Sequence, residues 1–142
     1  MKIISKLALF VTLLAGVYLL VTGSLFSITL LLAVQVLAIA VMPWARRSFQ
    51  PGQFNIHSEP NEGQLIASGP YKFIRHPMYA SALIIIWAGI AGHFSSLNFA
   101  VGVLVTVVIA IRIMIEEQSL RESYQEYVEY SRKTKMLIPF IL

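Results

Sequence analysis

The chain has 142 residues, of which 57% are hydrophobic and only 13% are charged, and its formal net charge is +4. A soluble domain of this size has about a quarter charged residues, so the composition predicts a small, all-α integral membrane protein. Cysteine is absent, which excludes disulfide bonds, thiolate metal sites and a cysteine nucleophile.

Four apolar segments follow one another along the chain, at residues 7–22, 24–44, 77–92 and 98–115. Each is near the ~17–25 residues that cross a bilayer, so we predict about four transmembrane helices in a single domain, residues 1–142. The first segment is interpreted as a retained helix, because no convincing signal-peptide cleavage site follows it. Residues 1–44 are predicted to form two N-terminal helices, residues 45–76 a cytoplasmic loop with a polar motif, and residues 77–142 two helices with a C-terminal extension.

Basic residues flank the predicted helices on one side only. The links between helices 1 and 2 and between helices 3 and 4 contain no Lys or Arg. The positive-inside rule therefore predicts a multi-pass protein of the inner or plasma membrane, with both termini in the cytoplasm. Because these residues form no basic patch with aromatic rings, we expect no nucleic-acid partner. The basic residues that flank the predicted helices are Lys2, Lys6, Arg46, Arg47, Lys72, Arg75, Arg121, Arg132, Lys133 and Lys135.

The first polar cluster is the segment 69–79, Gly-Pro-Tyr-Lys-Phe-Ile-Arg-His-Pro-Met-Tyr. Pro77 suits the first turn of a helix, so the third predicted helix begins there. A helix N-terminus has free N–H groups and partial positive charge, and Arg75 and His76 stand just before it. The cluster indicates either an anion cradle or an interfacial anchor. Its aromatic rings, suited to a purine or a lipid path, are Tyr71, Phe73 and Tyr79.

The second polar cluster closes the fourth apolar segment. Arg112 and Glu116 are one turn apart, and the pair either neutralises itself or serves a ligand. This pairing leaves Glu117 as a carboxylate without a partner, able to bind a ligand ammonium. Residues 116–133 beyond it are predicted to form one continuous amphipathic helix, which ends at Ile138-Pro139. Its apolar stripe consists of Leu120, Tyr124, Tyr127 and Tyr130.

Both clusters are predicted to lie at the cytoplasmic side, where they suggest one site shared by two helices. An anion cradle, a carboxylate and aromatic faces suit a zwitterionic purine ligand such as S-adenosylmethionine. An amino acid or a phospholipid head group has some of the same features. We expect no metal site, because the three histidines (His57, His76 and His93) are scattered.

The residues from Leu65 to Tyr79, taken with Arg112, Glu116 and Glu117, resemble the isoprenylcysteine carboxyl methyltransferase and phospholipid methyltransferase superfamily. The resemblance covers about residues 64–142. An Arg-His-Pro-x-Tyr element followed, after a transmembrane hairpin, by Glu-Glu is its specific feature. The chain departs from the family pattern at two positions where relatives often have glycine, Ser81 and Gln125.

The resemblance implies a methyltransferase that binds S-adenosylmethionine at the cytoplasmic ends of the last helices and takes a lipophilic acceptor from the bilayer. Arg112 and Glu116 are then the catalytic candidates. Arg112 would orient a carboxylate acceptor, such as a prenylcysteine-like compound, whereas a lipid amine would need Glu116 or Glu117 as a base. The residues that map to the cofactor region are Tyr71, Arg75, His76, Pro77, Tyr79, Glu116 and Glu117.

Two other interpretations stay open. A membrane NADPH-dependent sterol-type reductase has a related architecture, although the residues around Tyr79 differ from those expected of it. In a non-enzymatic membrane scaffold, the two polar clusters would only anchor helices.

Overall fold

The structure is a computed structural model of the chain, and it describes residues 2–27, 30–49 and 65–138. Residues 50–64 of the loop predicted between the second and third helices, and Pro139 at the predicted end of the extension, lie outside these ranges. The described elements are α1 (Lys2–Val21), α2 (Leu30–Arg46), a 3-10 helix (Gly69–Lys72), α3 (Pro77–Gly92), α4 (Ser96–Ser123) and α5 (Tyr127–Lys133).

Gly23 determines where α1 ends. Its φ of 68° lies in the left-handed region that favours glycine. The N–H groups of Gly23 and Ser24 donate to the carbonyls of Leu20 (3.1 Å) and Leu19 (2.8 Å), which is a Schellman cap. The chain leaves the helix here, and α2 begins only at Leu30. The second apolar segment was predicted to be helical from residue 24, and that boundary is wrong.

The long helices pack pairwise, α2 against α3, α1 against α4, and α3 against α4. On α1 the contact surface is a seam of mostly small side chains at helical spacing, formed by Ser5, Ala8, Ala15 and Leu19. The apolar core lies where α1, α3 and α4 meet. Its buried residues are Ala15, Leu19, Ile86, Ile90, Val105, Ile109 and Ile113.

Gly89 and Gly92 on α3 predict that a neighbouring helix approaches closely, but the link between α1 and α2 takes that place. A Cβ added at Gly89 would lie 2.8 Å from the carbonyl oxygen of Ser24. Gln35, fully buried on α2, secures the link. Its amide donates to the carbonyls of Leu25 (2.7 Å) and Ile85 (2.8 Å). A buried side chain of α2 thus satisfies backbone groups of both the link and α3.

Two of the described helices are long and apolar enough to cross a membrane, over Ile3–Val21 and Ser96–Ser123. The apolar helices α2 and α3, with 17 and 16 residues, are shorter than these two helices. Four membrane crossings therefore stay a prediction. Large apolar side chains are exposed along α1 and α2, as expected for surfaces that face lipid.

The C-terminal extension is helical but not continuous, so the predicted single helix over 116–133 is wrong. α4 runs to Ser123, and Tyr124 then has an extended backbone (φ −125°, ψ 115°) before α5 begins. No Gly or Pro marks this break. The cause is tertiary, because the turn brings α5 back so that the phenol of Tyr127 reaches Glu117.

Candidate functional site

Gly69 is the first residue of the motif segment, and its backbone conformation sets how this segment packs beside α2. Its φ is 58°, and an added Cβ would clash with the Ser48 hydroxyl and lie 3.4 Å from Nε1 of Trp44. Both the backbone conformation and the space therefore require glycine. The 3-10 helix that follows is packed against α2.

The motif runs beside the segment that follows α5. Ile74 and Lys135 form an isolated parallel bridge. The N–H of Arg75 donates to the carbonyl of Lys135 (2.8 Å), and the N–H of His76 donates to that of Met136 (3.1 Å). These backbone bonds hold the C-terminal segment against the first turn of α3.

Glu117 is the centre of the site, and three donors converge on its Oε1 atom. Arg75 Nε lies 2.8 Å away, His76 Nε2 lies 2.9 Å away, and the hydroxyl of Tyr127 donates over 2.8 Å. The structure thus joins the motif to the second cluster, 41 residues further on. The prediction that Glu117 has no partner is wrong, because a buried carboxylate requires donors that the distant elements supply.

The second oxygen of Glu117, Oε2, is buried and accepts no hydrogen bond from the described part of the chain. Its nearest ionic neighbour is Nη2 of Arg121, at 3.7 Å, on a side chain that is 60% exposed. A buried carboxylate oxygen with remaining acceptor capacity is well suited to a donor on a ligand.

Arg75 also holds α5. Its Nη1 donates to the carbonyls of Ser131 (2.9 Å) and Thr134 (2.6 Å), which lie at the C-terminal end of that helix. A cation there also interacts favourably with the helix dipole. The guanidinium is thus hydrogen-bonded on two of its nitrogens, while its role in binding an anion stays a prediction.

A second set of contacts lies alongside the first. Arg112 Nε donates to the phenol oxygen of Tyr79 (2.7 Å), and that hydroxyl donates to Glu116 Oε2 (2.8 Å). Arg112 Nη1 also donates to the carbonyl of Ser5 on α1 (3.3 Å). The predicted Arg112–Glu116 pair is therefore bridged by Tyr79 instead of being direct. The rings of His76 and Tyr79, 5.7 Å apart, connect the two sets.

The other predicted site residues lie around the motif. Pro77 is buried at the first position of α3, as expected. The carbonyl of Tyr71 accepts a hydrogen bond from the hydroxyl of Tyr130 (2.8 Å). The ring of Tyr71 packs edge to face against the ring of Phe49. Burial raises the pKa of Tyr71, and nearby Glu116 raises it further. Among the described residues, no group of three or more His, Asp or Glu suited to a metal ion is found.

Sequence reasoning missed the part that α5 plays. Tyr127 is fully buried and bound to Glu117, and the carbonyls of Ser131 and Thr134 hold Arg75. The Tyr127–Tyr130 spacing indicated only an apolar stripe, although a phenol hydroxyl on a buried stripe needs a polar partner. That requirement was the available signal. Ser5 gave none, because its contact to Arg112 is made by a backbone carbonyl, which every residue has.

Comparison with known proteins finds relatives that are all named methyltransferases. The chain matches the phospholipid methyltransferase family over residues 11–127. It is 38% identical over 74 residues to methanethiol S-methyltransferase 1 of Bradyrhizobium diazoefficiens, covering 49% of this chain and 24% of that protein. It is 35% identical over 72 residues to methanethiol S-methyltransferase of Crocosphaera subtropica, covering 50% and 28%.

A longer match is to protein-S-isoprenylcysteine O-methyltransferase B of Arabidopsis thaliana, 30% identical over 122 residues, covering 82% of this chain and 59% of that protein. The chain thus spans about a quarter of the length of the two thiol methyltransferases and less than two thirds of the plant protein. No solved structure matches. The family match covers most of the chain and confirms the resemblance, so this membrane protein belongs to the phospholipid methyltransferase family.

Proposed function

We propose that the chain is an S-adenosylmethionine-dependent methyltransferase with a lipophilic acceptor, either a prenylcysteine-like carboxylate or a lipid amine. Family membership supports the reaction class. The observation on which the proposal most depends is the convergence on Glu117. The motif and the second cluster, far apart in sequence, meet at one buried carboxylate whose Oε2 atom is left for a ligand.

The residues present fit this cofactor. Glu117 Oε2 is a buried anionic acceptor that suits an ammonium group. The first turn of α3 has backbone N–H groups that suit a carboxylate. Bound there, S-adenosylmethionine would supply an electrophilic methyl group on its sulfonium. The remaining residues that we propose to surround it are Tyr71, Arg75, His76, Pro77, Tyr79 and Glu116.

Arg112 and Glu116 are proposed to act on the acceptor. Arg112 is 7% exposed, and its contacts to Tyr79 and Ser5 fix the direction of its guanidinium. A carboxylate acceptor is already a nucleophile at neutral pH, so this chain would need only to orient it, and Arg112 is suited to that. An amine acceptor would have to lose a proton, and Glu116, whose Oε2 is held by Tyr79, is the candidate base.

The names of the relatives suggest a third acceptor, since two of them are methanethiol S-methyltransferases. A thiol, like an amine, would require a base. We further propose that the site faces the cytoplasm. Both clusters lie at the same end of the helix pair, since α3 begins and α4 ends there, and the predicted topology assigns that end to the cytoplasmic side.

The test is equilibrium binding of radiolabelled S-adenosylmethionine to the purified full chain in detergent. We expect saturable binding that NADPH does not displace, and loss of binding in Glu117→Ala. Glu129→Ala is the matched control, because that carboxylate is exposed on α5. Absence of saturable binding, or preferential binding of NADPH, would contradict the proposal.

The acceptor is identified in a second experiment. Membranes that contain the chain are incubated with cofactor labelled in its methyl group, and the labelled fraction is then separated. Label in a base-labile ester indicates a carboxylate acceptor, label in a lipid head group indicates an amine, and a volatile labelled sulfide indicates a thiol.

A further inference from the structure

We propose that Tyr127 is a positioning residue that fixes the Glu117 carboxylate through Oε1, so that Oε2 is presented to the cofactor and α5 must be docked for binding. This inference rests on the proposed function. It adds a residue outside the motif and a thermodynamic coupling between the C-terminal helix and the site.

The distribution of donors on Glu117 is unequal. Each carboxylate oxygen has about two lone-pair sites, yet Oε1 receives contacts from Arg75, His76 and Tyr127 while Oε2 accepts no hydrogen bond from the described residues. An unconstrained carboxylate would turn so that its donors were shared between both oxygens. The donors instead come from two directions, the segment before α3 and the helix α5, and together they hold one orientation.

Tyr127 is well suited to this task. Its side chain is fully buried, and its ring is 5.7 Å from that of Tyr130 on the same helix. Burial raises the pKa of the Tyr127 phenol, and its hydrogen bond to Glu117 raises it further. The hydroxyl therefore keeps its proton and donates throughout the physiological pH range. A phenylalanine would keep the packing and remove only that bond.

Arg121 does not donate a hydrogen bond to Oε2 of Glu117. Its Nη2 is 3.7 Å from Oε2, beyond hydrogen-bond distance, and the side chain is 60% exposed. A solvent-exposed cation at that distance neutralises part of the charge without occupying the acceptor position. A ligand donor that reaches Oε2 would therefore meet little competition from Arg121.

The docking of α5 is what brings Tyr127 to the site. Arg75 bonds to the carbonyls of Ser131 and Thr134 secure the C-terminal end of the helix, and the bridge between Ile74 and Lys135 follows directly. If the cofactor requires the docked arrangement, then by linkage cofactor binding must favour docking to the same extent. This reciprocity gives the inference a test that needs no acceptor.

The first experiment compares two Tyr→Phe variants, one on α5 and one on α1, in binding of radiolabelled S-adenosylmethionine to the full chain. Tyr127→Phe should weaken binding about tenfold or more, as expected for a hydrogen bond to a charged group. Tyr18→Phe, whose hydroxyl donates to Oδ1 of Asn98 at the opposite end of α4 from Glu117, should remain within about twofold of wild type. Equal effects in the two variants would overturn the proposal.

A double-variant cycle separates positioning from packing. In Glu117→Ala no side-chain oxygen is left for Tyr127 to position, so adding Tyr127→Phe should weaken the residual binding little further. If the two effects instead multiply, Tyr127 acts only by supporting the fold, and its positioning role is excluded.

The third experiment uses the unmodified chain, in case Tyr127→Phe does not fold. Hydrogen exchange is followed by mass spectrometry with and without S-adenosylhomocysteine. At a ligand concentration 100 times Kd, amides of α5 that exchange through undocking should slow about 100-fold. Unchanged exchange in Tyr127–Lys133, in a chain that binds the ligand, would overturn the coupling. A wild-type chain that binds neither compound would overturn the proposed function itself.

Discussion

Replacing Glu117 by alanine should destabilise the folded chain by about 3 kcal/mol. Removing one partner of a buried ion pair costs about 3–5 kcal/mol, and the side chains of Arg75 and Glu117 are 10% and 8% exposed. The lower end applies because Arg75 keeps two carbonyl acceptors on α5. The lost bonds of His76 and Tyr127 do not add in full, since they share one oxygen with Arg75.

The assay is equilibrium unfolding of the purified chain in mixed micelles by a denaturing detergent, followed by circular dichroism. Glu129→Ala is the matched control, because its ion pair with Lys133 joins side chains that are 73% and 71% exposed. Exposed pairs of this kind contribute little, so we expect no measurable change. If both variants unfold at the same denaturant composition, the buried contacts of Glu117 do not stabilise the fold and the reasoning is refuted.

Two further predictions use the same purified chain. Gly89→Ala should lower stability by about 1–3 kcal/mol, since the new Cβ would lie 2.8 Å from the carbonyl oxygen of Ser24 and closer still to that of Leu25. Gly16→Ala, which meets no atom within 4 Å, should be neutral or stabilising by up to about 1 kcal/mol; equal unfolding midpoints would contradict this difference. Burial raises the pKa of Tyr130 to about 12, so the phenolate absorbance lost in Tyr130→Phe should titrate near pH 12. The protonated phenol then contributes its full stability below about pH 10, the ordinary tyrosine pKa, and this contribution is lost as the pH rises toward 12. An absorbance titration near pH 10 would instead show that the Tyr130 phenol is exposed, which would contradict the prediction.

The sequence predicted the helices well where local signals mark their ends. Pro77 begins α3 as expected, because proline suits a first helical turn, and that helix also ends at the predicted residue 92. The start of α2 was predicted too early, since residues 24–27 are apolar enough to continue the pattern. Gly23 was the available signal for the break, but its meaning depends on a φ that only the structure supplies.

The site was predicted in part, and there is a physical reason why some of its residues were identified and their contacts were not. Arg75, His76 and the two glutamates were identified because ionisable residues beside apolar runs are costly without a use. The two clusters were predicted to share one site, but their individual contacts were not predicted. The contacts between the clusters join residues more than 30 apart, and the contacts of Arg75 to α5 involve backbone carbonyls, which every residue has. The bridging position of Tyr79 between Arg112 and Glu116 also depends on how α3 and α4 are rotated relative to each other.

The packing of α1 on α4 has a consequence for biosynthesis. The seam of Ser5, Ala8, Ala15 and Leu19 can pack against α4 only after that helix, the fourth of the long helices described, has left the ribosome. Until then the part of the α1 surface that packs against α4 is not covered by that helix. Arg112 meets the Ser5 carbonyl in the same late event. The proposed acceptor side is therefore assembled only after α4 has been synthesised, and a nascent chain halted before α4 would lack both the helix against which α1 packs and a complete site.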